Sequence, residues 1–309
     1  MDINIAIAGA TASGKTALSV EFALRNNCGI ISADVMQSYK YMDIGTAKVR
    51  SDETKGVMHY MVDKYDPKYN VNIAGFTSDA LLCRDEIVRS GKTPLMVGGS
   101  GLYMDSILYS SYDYSTDSPE DEEYRAHLEG LAAEHGVEYV HDMLKKVDPV
   151  YAENTHPNNL KRVIRALEVF HLSGARKSEM VKEKSFREKT YYFAIDMPRE
   201  KLYDRIDRRV DIMVSEGLFE EVRSLLDMGC EREHNSMQAI GYKQVIEMFD
   251  GLIEENECIE KIKKLSRNYA KRQLTWFRGN NDIIWLDVEK FGTVEEICEY
   301  MEGIIYENK

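Results

Sequence analysis

Eight residues near the start of the chain, Gly9-Ala10-Thr11-Ala12-Ser13-Gly14-Lys15-Thr16, carry the spacing G-x-x-x-x-G-K-T. Gly9 and Gly14 allow the backbone to curl until successive N–H groups point into one concavity. A helix that follows presents the positive end of its dipole to the same place. Lys15 adds a point charge for a phosphate oxygen, and the Thr16 hydroxyl can hold Mg²⁺. The segment therefore predicts a phosphate or pyrophosphate site. A second chemical group follows at Asp34, which ends the run Ile30-Ile31-Ser32-Ala33-Asp34. At the carboxyl end of a strand its carboxylate faces the ligand crevice, where it can take a proton from a nucleophile or help bind Mg²⁺. A plain structural role, capping the next turn, is also open to it.

These groups need a strand, a loop and a helix behind them, and the sequence supplies all three. Residues 3–8 (INIAIA) form a short apolar run ending at glycine, the pattern of a buried parallel strand. A helix is predicted from about Lys15 to Arg25, and strands at Gly29–Ser32 and Lys92–Val97. Strands alternating with helices in this order predict an α/β fold, a doubly wound parallel sheet of the P-loop class, with ligands at the carboxyl ends of the strands. Phosphate-hydrolysing members of this class usually carry a second strand ending in a metal-positioning Asp. Pro94-Leu95-Met96-Val97 ends instead in Gly98-Gly99-Ser100-Gly101, which offers amides and a hydroxyl but no carboxylate. That suits a reaction in which pyrophosphate leaves, and equally a kinase that holds its metal differently.

After about Tyr109 the texture changes. SSYDYSTDSPEDEEY is polar and turn-rich, and helical patterns follow at about 119–135, 137–146 and 158–173. The next strand pattern is Tyr191–Ile195. Residues 113–188 are therefore expected to form a helical insertion domain in a P-loop core made of 1–112 and 189–309. Helices are expected near 199–228, 235–249, 257–277 and 293–306, with a strand at Ile283–Leu286. The tyrosine-rich stretch Tyr103–Tyr114 is expected to pack at the junction with the insertion.

Among 309 residues, 43% are hydrophobic and 30% charged, a balance that excludes wholesale disorder and fibrous repeats. No apolar run reaches the roughly 20 residues of a membrane span, and no secretory signal pattern opens the chain. Five cysteines, odd in number and never in C-x-x-C pairs, fit a reducing cytoplasm better than a disulfide framework. The seven histidines have no metal-ligand spacing. Net charge is −13, yet Lys261–Arg278 holds seven basic residues and no acidic one. Asn158–Arg209 carries 14 basic against 8 acidic residues, leaving −26 on the rest. Screening confines each charge to about 10 Å at 0.1 M salt, so an acidic chain with two basic segments can still bind a polyanion locally.

Seven ordered blocks span nearly the whole sequence: GATASGKT, SADVMQSYKYMDIGTAK, VGGSGLY, HPNNLKRVIRALEV, LYDRIDRRVDIMVSEGLFEEV, AIGYKQV and AKRQLTWFR. Together they resemble the bacterial tRNA dimethylallyltransferases, also called tRNA isopentenyltransferases. The resemblance implies transfer of a dimethylallyl group from dimethylallyl diphosphate to the exocyclic N6 amine of the adenosine 3′ of the anticodon, position 37, in tRNA. By the same resemblance Asp34 is the general base, and Ser100 and Arg209 are catalytic. Gly9 to Thr16 hold the diphosphate, with Arg205 one helical turn from Arg209 and Mg²⁺ on Thr16. Asp34, Val35, Met36, Gln37, Lys161, Arg162 and Arg165 match tRNA-contacting stretches. The basic residues Lys271, Arg272 and Arg278 are expected to neutralise the RNA backbone. Ala10, Val35 and Ser100 replace the family's usual Pro, Ser and Thr. The zinc finger of the eukaryotic relatives is absent from the sequence. A cytoplasmic monomer with no membrane contact is expected.

The bottom-up chemistry agrees with what the resemblance implies. Amides, Lys15, Mg²⁺ and an arginine stabilise charge developing on a leaving diphosphate, and a carboxylate takes the amine proton. The target base must leave its stack to react. Trp276 can stack on a base or serve the core. A P-loop small-molecule kinase, an adenylate isopentenyltransferase and a non-catalytic RNA binder are the rival readings. The basic C-terminal helix argues against the first, the insertion against the second, and intact Lys15, Thr16 and Asp34 against the third.

Overall fold

β1 (Ile3–Gly9) is buried at six of its seven positions, as an apolar strand covered on both faces should be. In this computed structural model, which describes residues 3–111, 121–180 and 185–306, β1 lies inside a six-stranded sheet. The other strands are β2 (Cys28–Ser32), β3 (His59–Tyr60), β4 (Thr93–Gly98), β5 (Lys189–Asp196) and β6 (Ile283–Asp287). Their order is β3-β2-β4-β1-β5-β6, and every pairing is parallel. The chain leaves β1 on one side, returns through β4, and then places β5 on the other side. That reversal makes the carboxyl end of β1 the switch point where a ligand crevice opens.

Helix α1 (Lys15–Asn26) packs on one face of the sheet through Leu18 and Phe22. α2 (Ile73–Arg89) covers the other face, its Ile87 against Gly29. α3 (Gly101–Leu108) starts where β4 ends. The chain divides into two compact units, Met1–Tyr109 with Phe186–Lys309, and Ser110–Ser185.

The second unit contains α4 (Glu122–His135), α5 (Val137–Val147), α6 (Pro149–Glu153) and α7 (Leu160–Ser173). Leu128, Val140, Leu144 and Val163 form its apolar centre. Beside them the wholly buried Glu168 carboxylate accepts from Arg125, Arg165 and the Asp121 amide. Most of the polar stretch between Tyr109 and Tyr124, including Tyr112 and Tyr114, lies outside the described residues. So do the first two residues expected for the helix at 119. Of the tyrosines that are described, Tyr109 stacks on Phe186 at 4.4 Å and Tyr103 meets Phe76 edge-on at 4.8 Å.

The remaining helices belong to the first unit: α8 (Arg199–Ser215), α9 (Leu218–Asp227), α10 (Tyr242–Phe249), α11 (Glu255–Arg278) and α12 (Val294–Tyr306). α12 packs beside α1, contributing Ile297, Met301 and Ile305 to the same apolar cluster. Two expected helices prove to be broken. The 199–228 pattern divides at Gly217, whose φ of 102° lies in the left-handed region that a side chain would disfavour. The 235–249 pattern begins as a short 3₁₀ turn, Asn235–Gln238, before α10. β3, α2, α3 and the five-residue α6 were not singled out by the sequence patterns.

Candidate active site

The phosphate loop joins β1 to α1 at the switch point. Ala12 and Gly14 both take positive φ, 62° and 96°, the left-handed turns by which the loop curls. The Ser13 amide donates to the Ala10 carbonyl at 3.2 Å, and Lys15 Nζ donates to the same carbonyl at 2.7 Å. The buried Ser13 Oγ has no hydrogen-bond partner among the described residues. Enclosure by the loop, reinforced by the nearby charge of Arg209, lowers the Lys15 ammonium to about 7, against the smaller opposing pull of Asp34.

Asp34 both caps the next turn and faces the ligand cavities. Its Oδ1 accepts from the Met36 amide at 3.0 Å, capping a 3₁₀ turn at Val35–Ser38. The same carboxyl lines cavities shared with Thr11 and Arg209. Burial raises it above the ordinary carboxylate range, while the Met36 amide, Lys15 and Arg209 pull the other way. Gln37 takes the Ser32 hydroxyl on Oε1 at 3.2 Å and donates from Nε2 to Thr46 and Ala47 carbonyls at 3.4 and 3.3 Å. Met36 lines the same cavity as Asp34. The Val35 carbonyl accepts the Ser38 hydroxyl.

α8 brings its arginines to the loop from far along the chain, Arg209 reaching Thr11 across 198 positions. Arg209 Nη1 donates to Thr11 Oγ1 at 3.5 Å and Nη2 to the Ala47 carbonyl at 3.4 Å. Arg205 Nη2 lies 3.6 Å from where a Cβ on Gly14 would stand. Three cavities meet at Arg209, which lines each of them. One, of about 540 Å³, is walled by Gly14, Lys15, Thr16, Arg205 and Arg208. A second, of about 330 Å³, has a largely apolar wall that includes Ile206, Val210, Met213 and Ile262, and Asp34 and Tyr269 also line it. The third, about 100 Å³, connects Lys15, Thr16 and Asp34 with Gln273. The cationic and apolar chambers thus share the Arg209 guanidinium, and the Asp34 carboxylate is common to the apolar chamber and the small third one.

Ser100 stands apart from the other expected catalytic residues. It precedes α3 and lines none of these cavities; its side chain lies beside the phenol of Tyr269. Gln273 also neighbours Tyr269, and burial pushes the phenol up to about 12. Gln273 Oε1 in turn accepts from the Thr11 amide at 2.9 Å, tying α11 to the phosphate loop across 262 positions. Sequence reasoning missed Tyr269 and Gln273 as site residues. The signal was their spacing of four on the predicted helix, which places both on one face. It also missed the Asp43–Lys48 segment, which lines the phosphate-loop cavity.

The remaining expected residues fall into two groups. Of the seven basic residues on α11, four have acidic partners: Lys261 with Glu247, Lys263 with Asp211, Arg267 with Asp207, and Arg278 with Asp196. Lys264, Lys271 and Arg272 are exposed and have no ion pair among the described residues. Arg272 lies over the Tyr269 ring at 5.6 Å. Trp276 donates to Asp105 Oδ2 at 3.0 Å and is 41% exposed. In the second unit, Lys161 and Arg162 are exposed in the first turn of α7, whereas Arg165 is engaged by Glu168 at 2.5 Å.

Comparison with known proteins gives a consistent picture. The family model described as IPP transferase matches residues 37–280. A tRNA dimethylallyltransferase of Bacillus mycoides (strain KBAB4) is 47% identical over 301 residues, 96% of this chain and 93% of that protein. One from Bacillus anthracis is 48% identical with 96% and 94% covered. The crystal structure of a full-length tRNA isopentenylpyrophosphate transferase from Bacillus halodurans matches with a TM-score of 0.72 at 40% identity, covering 99% of this chain and 98% of that one. A eukaryotic dimethylallyltransferase acting on tRNA matches with a TM-score of 0.83 at 27% identity, covering 99% and 80%. A family model matched over most of the length, and relatives nearly half identical along almost all of it, identify the chain as a member of the IPP transferase family.

Proposed function

We propose that this chain transfers a dimethylallyl group from dimethylallyl diphosphate to the N6 amine of adenosine 37, 3′ of the anticodon, in tRNA, releasing diphosphate. The observation that carries the reading is the meeting at Arg209 of a cationic phosphate-loop chamber and a largely apolar one, with Asp34 among the residues lining the second. The names of its relatives, tRNA dimethylallyltransferases, support the same substrates.

In the reaction the allylic C–O bond breaks and its electron pair leaves with the diphosphate. The amine lone pair forms the new N–C bond, and Asp34 takes the proton that the amine then loses. Negative charge grows on the leaving group, beside the loop amides, Lys15, Arg205 and Arg209. Donors fixed in advance at such a place are commonly the largest single contribution to rate. Burial makes Asp34 a stronger base than an exposed aspartate, and it acts only when ionised, so turnover rises with pH through its raised pKa. The apolar chamber keeps water from the cation-like allyl group. Ser100 acts on the reacting centre through Tyr269.

Mg²⁺ fits the donors present. The Thr16 hydroxyl, a hard oxygen that lines the cavity beside Lys15, would hold the ion and leave the Asp34 carboxylate free to take the proton. No cluster of three or more His, Cys, Asp or Glu suited to a metal occurs among the described residues. Water and diphosphate oxygens would complete the shell, as this ion prefers. When bound, the ion neutralises diphosphate charge. Lys161 and Arg162 on the helical unit, with Lys271 and Arg272 on α11, contact the tRNA backbone. No helix among the described residues is long and apolar enough to cross a membrane. On this reading the enzyme works in the cytoplasm as a monomer.

The test is incubation with labelled dimethylallyl diphosphate, Mg²⁺ and an anticodon stem-loop bearing the target adenosine, with AMP and ATP as controls. Label on the stem-loop alone is expected. Label on AMP makes the chain a free-nucleotide enzyme, and ATP consumption without transfer makes it a kinase. Asp34→Asn is expected to cut turnover at least ~10²-fold with little change in tRNA affinity.

A further inference from the structure

Residues Asp43–Lys48 form a strap across the phosphate-loop chamber. Asp43, Ile44, Ala47 and Lys48 line that chamber, and Thr46 lines both of the others. The strap is strained: Ala47 has a φ of 44°, in the left-handed region unfavourable to a Cβ-bearing residue. It therefore needs an outside hold.

Gln37 and the Lys48 ammonium, bonded to the Tyr39 carbonyl and Asp63, supply part of it at the far end, and α9 supplies it at the near end. Glu221 Oε2 accepts from the amides of Asp43 at 2.8 Å and Ile44 at 2.7 Å, and Oε1 from Gly45 at 3.0 Å. Three consecutive N–H groups converging on one acceptor are the geometry of an anion-binding nest, here filled by a side chain of the same protein. Tyr242, wholly buried at the start of α10, donates to Glu221 Oε1 at 2.6 Å. The Tyr242 ring also closes the strap from behind: a Cβ on Gly45 would stand 2.5 Å from it. Downstream, the Ala47 carbonyl receives both Arg209 and Gln37. A continuous chain of contacts runs from Glu221 through the strap to the guanidinium between the chambers.

We infer that Glu221 is a positioning residue. Its carboxylate holds the Asp43–Gly45 amides so that the strap closes the diphosphate chamber and presents the Ala47 carbonyl to Arg209. The inference rests on the transferase reading for the identity of the diphosphate, but the clamp itself can be tested without any transfer.

Glu221→Gln keeps the shape and turns one acceptor oxygen into a donor that opposes the amides. Two readouts decide, hydrogen exchange at the Asp43, Ile44 and Gly45 amides and affinity for inorganic pyrophosphate. The expected result is exchange at least ~10-fold faster at those amides, with β1 and α12 still protected, and pyrophosphate binding weaker by ~10-fold, the size of one charge-assisted contact set. Tyr242→Phe leaves the three amide bonds in place and is expected to move both readouts the same way by less. It decides the matter if Glu221→Gln does not fold. Unchanged exchange at the three amides overturns the inference, as does fast exchange with wild-type pyrophosphate affinity. A protein that binds pyrophosphate and shows the clamp but prenylates nothing would instead refute the transferase reading alone.

Discussion

The phosphate loop and the Asp43–Lys48 strap face the same chamber, yet they are held in opposite ways. The loop is mostly self-supporting. Ser13 and Lys15 both bond the Ala10 carbonyl, and the Gly14 carbonyl accepts the first helical amide of α1, from Leu18. The strap has short turns of its own, Ala47 to Ile44 and Lys48 to Asp43. Its Asp43–Gly45 amides, however, are held by Glu221, almost 180 residues later in the chain. A site wall can thus be written in eight contiguous residues or in two segments that meet only after folding. Substitutions should separate the two cases.

The largest effect is expected in the loop. Lys15→Met removes a charge aimed at the leaving diphosphate and is expected to lower kcat/KM for dimethylallyl diphosphate by ~10²–10³-fold, the range for loss of one fixed donor. The pH dependence sharpens the assignment. Lys15 is pushed down to about 7, so its ammonium is charged below that pH and neutral above it in the free enzyme. Wild-type kcat/KM is therefore expected to fall as pH rises past about 7, while the raised Asp34 carboxyl sets an acid limb in the opposite direction. Lys15→Met should keep the acid limb and lose the alkaline one. An unaltered alkaline limb in the variant would assign that titration to another group.

In the strap, the expected effect is on stability and is smaller. Gly45→Ala drives a methyl group to within 2.5 Å of the Tyr242 ring, which is wholly buried and has no room to yield. Overpacking of this kind costs about 1–3 kcal/mol, to be read from denaturant unfolding. The double variant Gly45→Ala with Tyr242→Leu should recover part of that loss. No loss in the single variant would mean that the strap moves freely off α10, and the contrast with the loop would fail.

The same contrast explains which parts of the molecule were legible in the sequence. β1, the phosphate loop, α1 and Asp34 are encoded by local pattern, because an apolar run, two glycines and a strand end leave few conformations open. β3 has only two residues and borrows its strand state from pairing with Ile30 and Ile31, so no periodicity marks it. The 199–228 pattern reads as one helix because its apolar spacing persists through Gly217, and only the backbone shows the break. Tyr269 and Gln273 were recoverable from helical spacing, but their partners Ser100 and Thr11 were not, since contact across more than 160 residues leaves no local trace.

Charge on α11 follows the same rule and gives the smallest effect. The run Lys261–Arg278 reads as uniformly basic, yet Glu247, Asp211, Asp207 and Asp196, all distant in sequence, occupy four of its seven cations. A cation already paired releases little counterion when RNA arrives, whereas an exposed unpaired one releases nearly a full equivalent. Lys271→Ala with Arg272→Ala is therefore expected to flatten the salt dependence of tRNA binding by roughly 0.7–0.9 per residue removed. Lys263→Ala with Arg267→Ala, which deletes the same formal charge from the same helix, is expected to leave the slope almost unchanged. Binding titrations across a salt series measure both. Equal slopes for the two double variants would show that RNA reads the net charge of the helix, and that its intramolecular partners let go on binding.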